Sequence, residues 1–255
     1  MTLSLLPSLL LGLGTTTPAV PPPTPAAVTP WAEDVTALLK EYEEAFEAWR
    51  TALYAAETEA AQMKIYEAMP AKEFWPRFLE LAKDGDPEAT LWTLDHATSV
   101  PMPVEELTEH VLHGLRLIFF DHHDKPELIV RAGRQVEYLG YVVPAKEIAP
   151  ILAESFEMGE TVESRSATAF FVGQLLARSE DAEDQASGKE WLLRVKEEFG
   201  DSEYAVQADD VLFELEHLVV GAIAPSFGGK SVDGEELNLE DYRGQIVVLD
   251  FFGFW

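Results

Sequence analysis

"KEWLLRVKEEFGDSEYAVQADDVLFELEHL", residues Lys189 to Leu218, decides how most of this chain is read. Apolar residues recur at helical spacing on both sides of an acidic break, Gly200-Asp201-Ser202. The pattern predicts one helix over Gly188–Phe199 and a second over Ser202–Leu218. Small Ala205 and Ala208 allow the two to approach closely. The same arrangement occurs upstream in "KEFWPRFLELAKDGD" from Lys72, where Lys, Glu, an aromatic, Arg, Glu and Asp recur at the same offsets (Lys72/Lys189, Glu73/Glu190, Phe74/Trp191, Arg77/Arg194, Glu80/Glu197, Asp84/Asp201). Two copies of one helix, acidic turn and helix unit point to an α-helical array.

Working outward, Pro-marked starts predict further helices over Lys72–Lys83, Pro87–Thr98, Pro103–Phe120, Pro126–Gly140, Pro144–Met158 and Ser164–Arg178. A Pro in the first turn removes only a backbone donor that has no helical acceptor there. Ahead of them, Leu39, Tyr42, Phe46, Trp49, Leu53, Ala56, Ala60 and Met63 step by three and four. They predict one long helix, Trp31 to Met69, whose stripe needs a helical partner in cis or in a dimer. The second hairpin, with its small alanines, resembles a tetratricopeptide-type unit. That resemblance implies an array that binds a protein partner or holds a neighbouring domain.

Composition narrows the function. The chain has 255 residues, 46 Asp and Glu against 18 Lys and Arg, and a net charge of -28. Such a surface repels phosphate backbones, so nucleic acid is excluded as a partner. Cys is absent, which excludes disulfides, thiolate metal sites and a Cys nucleophile within residues 1–255. "LSLLPSLLLGLG", Leu3 to Gly14, has the length of a signal-peptide core, and Thr17 and Ala19 fit a small-residue cleavage site. The expectation is a signal peptide over 1–19 and an extracytoplasmic protein, periplasmic or secreted, or tethered by an uncleaved signal segment. Residues 20–30 are a Pro-rich linker and 31–218 the helical array.

Two candidate sites in the chain are weighed by spacing. "GGKS", Gly228 to Ser231, is not a phosphate loop: Ala224 stands where that loop needs Gly, and a hairpin rather than a helix follows. His110, His113, His122 and His123, with Asp121 and Asp124, form the one cluster with metal-ligand chemistry. Its alternative is a polar helix end and loop, and the sequence leaves both open.

From Gly221 the helical period stops. "KSVDGEELNL" predicts a β-hairpin with Asp233-Gly234 at its turn, "EDYRG" a further turn, and "QIVVLDFF" a strand covered on both faces. In full, "VGAIAPSFGGKSVDGEELNLEDYRGQIVVLDFFGFW" resembles the opening of redoxin (alkyl hydroperoxide reductase/thioredoxin-like) domains. Ala224, Pro225 and Phe227, then Asp233 and Gly234, then Leu239, Asp241, Tyr242, Arg243 and Gly244, then Val247 to Phe251 and Trp255 match that pattern in order. Gln245 and Phe252 depart from it.

The resemblance implies a mainly α protein: a tetratricopeptide-like array, then over 219–255 the first hairpin and strand of a truncated α/β thioredoxin-like domain. It implies a thiol (or selenol)–disulfide oxidoreductase or a peroxidase, with no cofactor. Its partners would be a protein disulfide or peroxide substrate and a thiol electron donor. In such domains the attacking Cys follows the final Trp, so no catalytic residue is expected within 1–255. Asp250, Phe251, Phe252, Gly253 and Trp255 would flank the site. The expectation at Trp255 is a truncation, a mutation, or a UGA codon for selenocysteine. The rival expectation is a non-enzymatic helical scaffold that binds a protein partner.

Overall fold

The computed structural model describes residues 34–251. The expected signal peptide and linker lie outside them, as do Phe252, Gly253 and Trp255. Ten α-helices and one two-stranded antiparallel sheet make up the described chain. None of these helices is long and apolar enough to cross a membrane.

The expected long helix is two helices, α1 (Val35–Ala55) and α2 (Glu59–Glu67). Thr58 caps α2, its hydroxyl accepting from the Ala61 amide at 3.2 Å, while Ala56 is extended. The break lets the second segment fold back: Trp49 Nε1 donates to the Ile65 carbonyl at 2.7 Å. The aromatic stripe thus finds its partners in cis. Tyr42 is buried edge-on against Phe74, Phe78 and Trp92, at ring separations of 5.5, 6.3 and 5.0 Å.

The remaining helices follow the expected order: α3 (Ala71–Lys83), α4 (Pro87–His96), α5 (Val104–Arg116), α6 (Pro126–Leu139), α7 (Ala145–Met158), α8 (Val162–Ala177), α9 (Ala182–Glu198) and α10 (Glu203–His217). Four of these starts, those of α4, α8, α9 and α10, are fixed by side-chain caps. Asp86, Thr161, Asp181 and Ser202 each accept a backbone N–H that the first turn leaves free. The cap at Asp181 starts α9 six residues before the expected Gly188. A π-helical turn, Leu117–Asp121, continues α5, and buried Ser155 of α7 donates to its Phe119 carbonyl at 3.0 Å.

The core has two apolar clusters. One gathers Leu38 and Tyr42 of α1 with Phe74, Trp75 and Phe78 of α3 and Ala89 and Trp92 of α4. The other runs from Leu91 and Leu94 of α4 through to Val211 of α10. Helix α4 therefore joins them, with every residue from Ala89 to Leu94 buried. Helix α8 does the same inside the larger cluster, burying Ser164 and nearly every residue from Ser166 to Ala177.

The sequence repeat has a structural counterpart. Buried positions of α3 correspond to positions of α9 at the repeat's offset: Ala71/Gly188, Trp75/Leu192, Phe78/Val195 and, just after α9, Ala82/Phe199. In the second helix of each unit, Leu91 and Leu94 correspond to Ala208 and Val211, all buried.

Past α10 the chain forms β1 (Gly228–Lys230) and β2 (Glu236–Asn238), paired with Gly229 opposite Leu237. The strand expected over 245–252 is not formed among the described residues. Strand structure requires backbone partners, and the only sheet among the described residues is the two-stranded hairpin.

Candidate functional site

The hairpin and the segment behind it make a small apolar cleft. At the β1–β2 turn, Gly234 adopts φ +84°, a left-handed conformation that favours Gly. Ser231 holds the loop at both ends: its carbonyl accepts from Gly234 and its hydroxyl from the Glu235 amide, at 2.9 and 3.0 Å. The Leu239 amide donates to the Phe227 carbonyl, which carries the pairing one step past β2. A 3-10 turn over Leu239–Tyr242 follows, and Gly244 at φ +87° turns the chain back.

That reversal sets Val247 and Leu249 beside Phe227, Leu237, Leu239 and Tyr242, around an open cleft of about 380 Å³. The alternate residues point elsewhere: Ile246 is 97% exposed and Val248 86%. The segment thus carries the two-residue alternation of a strand, with apolar residues on both faces. Of the residues expected to flank an active site, Asp250 makes no hydrogen bond or ion pair among the described residues, and Phe251 is 87% exposed. Among the described residues the polar side chains lining the cleft are Lys230, which pairs with Glu236 at 3.5 Å, Asn238 and Tyr242. Its chemistry is apolar contact and the offer of free backbone groups.

The histidine cluster is dispersed. His110 lies against the Trp75 ring edge, 5.5 Å between centroids, with its Nε2 buried and unpartnered among the described residues. Burial, then the nearby His113 and Lys83 charges, push its pKa down to about 4. His123 is tied through Nδ1 to the Phe120 carbonyl at 2.7 Å. Among the described residues no three His, Asp or Glu side chains converge as metal ligands would.

One buried polar pair escaped the sequence reading. The Tyr42 hydroxyl meets His96 Nε2 at 2.7 Å, and His96 Nδ1 meets the Trp92 carbonyl at 2.8 Å. The carbonyl can only accept, so Nδ1 carries the proton and Nε2 accepts from Tyr42. Burial pushes the Tyr42 pKa up to about 12 and lowers that of His96. The available signal was Trp92 and His96 one turn apart, which stack at 4.1 Å.

No protein-family model matches the chain, and neither a curated protein nor a solved structure matches it. Fold and cleft together define a mainly helical protein that carries one small antiparallel hairpin.

Proposed function

We propose that residues 219–251 belong to a redoxin-type, thioredoxin-like domain and that 34–218 form a tetratricopeptide-like array in front of it. The protein in this reading is an exported thiol- or selenol-disulfide oxidoreductase, or a peroxidase of that superfamily. The observation that carries the reading is the largely apolar segment from Ile246 to Phe251, which pairs with no strand among the described residues. Its exposed faces suit the inner strand of an α/β sheet, beside a hairpin whose Asp-Gly turn and Arg-Gly reversal match the redoxin order.

Residues 1–255 hold no Cys, and the resemblance to redoxin domains assigns the reacting group to the position that follows their final Trp. Placed at a strand end and a following helix N-terminus, a thiol or selenol there is favoured as the anion by the helix dipole. The anion attacks one sulfur of a substrate disulfide, giving a mixed disulfide and a leaving thiolate. A second Cys three residues on displaces the substrate's remaining sulfur as a thiolate. The domain closes as the oxidised pair, and an external thiol donor returns it to the reduced form.

The test is to read the gene and its transcript past codon 255. A Cys codon or an in-frame UGA, followed by a Cys codon three positions later and roughly a hundred further residues, is the expected result. An in-frame continuation with any other residue there sinks the proposal.

A further inference from the structure

Phe156 of α7 is fully buried and carries two arginines. The guanidinium carbons of Arg165 on α8 and Arg194 on α9 lie 4.6 and 4.2 Å from its ring centroid. Trp191 and Phe199 meet the same ring edge-on, and each takes one arginine as well, Arg194 at 5.2 Å and Arg165 at 5.6 Å. The platform holds both planar groups by cation–π contact without consuming their N–H donors. Gly159, just after α7, leaves room for it: a Cβ there would fall 2.7 Å from Arg165 Cγ.

The donors are largely unspent. Among the described residues the Arg165 side chain makes no hydrogen bond, and Arg194 uses only Nε, which donates to Glu198 Oε1 at 2.6 Å. The other Glu198 oxygen is 3.9 Å from Arg165 Nη2, an ion pair too long for a hydrogen bond. One carboxylate thus already lies within ion-pair distance of both guanidiniums, so a single oxyanion can reach both. All three side chains remain partly open to solvent, at 36–40% exposure.

We infer that Arg165 and Arg194 form a binding site for a single small oxyanion, a carboxylate or a phosphate group, with Glu198 as its internal competitor. Two guanidinium forks on a fixed aromatic support match the planar, bidentate recognition of such groups. The chain's net charge of -28 disfavours polyanions as ligands. The site is independent of what the C-terminal hairpin belongs to.

The experiment titrates the full chain, labelled with ¹⁵N, with sodium phosphate and separately with sodium acetate, ionic strength held constant with chloride. The readout is the pair of Arg165 and Arg194 Nε–Hε resonances. A saturable shift absent from the chloride control is expected, and the tighter of the two arms identifies the oxyanion. Glu198→Gln, which removes the competing charge, is expected to tighten binding. Arg165→Gln and Arg165→Lys are expected to weaken it roughly tenfold or more, the Lys variant because it keeps the charge but loses the fork. Shifts no larger than with chloride, binding unchanged in Arg165→Gln, or weaker binding in Glu198→Gln would each overturn the inference. If Arg165→Gln fails to fold by circular dichroism, the direction of the Glu198→Gln change decides.

Discussion

Gly188→Ala should destabilise the protein even though it improves a helix. Ala is favoured over Gly inside a helix by about 1 kcal/mol. Against that, a Cβ at 188 would stand 2.2 Å from the Ala177 amide nitrogen, 2.7 Å from Ala177 Cα and 2.8 Å from the Gly173 carbonyl oxygen. All three are backbone atoms of α8, so no rotamer relieves the overlap. Normal contact needs about 3.5–4.0 Å, so α8 and α9 must part by roughly 1.5 Å. Overpacking of this kind costs about 1–3 kcal/mol. Parting also loosens Leu192 and Val195, both fully buried on the same face of α9, whose complete burial stabilises by about 1.5–3 kcal/mol each. With a third of that burial lost, the net is a loss of about 2 kcal/mol, a fall of roughly 4–8 °C in Tm. Urea unfolding followed by far-UV circular dichroism, with calorimetry for Tm, measures it. Gly173→Ala is the internal comparison, because its Cβ meets the Leu192 side chain at 2.9 Å and its nearest backbone atom, the Leu192 nitrogen, only at 3.1 Å, a milder overlap. Gly188→Ala as stable as wild type, or Gly173→Ala the more damaging of the two, would refute the reasoning.

Three further outcomes are expected. Because the folded-state pKa of His110 is depressed to about 4, the unfolded chain binds the extra proton between about pH 6.5 and pH 4. Stability therefore falls as pH drops through that window, with a slope of up to about 1.4 kcal/mol per pH unit from this group. Urea midpoints across the window should be flatter for His110→Gln than for wild type, and equal slopes would count against the assignment. Tyr42→Phe strips His96 Nε2 of its donor and should cost about 1–3 kcal/mol in the same unfolding assay; a cost below about 0.5 kcal/mol would mean the 2.7 Å contact contributes little. Val248→Lys and Ile246→Lys place charge on an unpaired apolar segment and should lower concentration-dependent self-association in sedimentation velocity; unchanged association would locate the sticky surface elsewhere.

Helix starts were legible where a cap coincides with a Pro or with the onset of the apolar period. Asp86-Pro87 and Ser202 announce α4 and α10 because a cap bonds to amides within its own first turn. The break between α1 and α2 was hidden because no Gly or Pro marks it. Thr58 is its only cap, set among Ala and Glu that suit a helix as well. The early start of α9 escaped for a related reason: Asp181 to Ser187 is polar, so the apolar period begins only later, while the cap at Asp181 fixes the start. The strand at 245–252 failed differently. Its alternation is a property of the segment, but a strand also needs edges to pair with, and those come from elsewhere in a chain. The turn residues Gly234 and Gly244 were readable because their backbone conformation is a local demand. Neither the Tyr42–His96 pair nor the two arginines on Phe156 could be read, since each joins residues far apart in sequence.

The faintness of the internal repeat has a physical cause in how its two copies are filled. Equivalent positions are buried in both, but the volumes differ. Ala71, Trp75 and Phe78 in the first unit stand where the second has Gly188, Leu192 and Val195. Large rings in the first copy let α3 and α4 pack through a stack, with Phe78 and Trp92 at 3.9 Å. In the second, Gly188 brings α9 against the α8 backbone, leaving no room for such rings. Close packing requires only that each interface be filled, so a repeat can keep its burial pattern while its side chains diverge. The charged positions follow the same logic. Arg77 and Arg194 occupy equivalent places, yet Arg77 reaches across to Glu41 of α1, while Arg194 stacks on the Phe156 platform of α7. Equivalent arginines have thus been drawn to different neighbours because each unit packs against a different helix. Among the described residues the second unit's Arg194 shares its ring with Arg165, whereas Arg77 is placed over Phe74 of its own helix, at 5.3 Å.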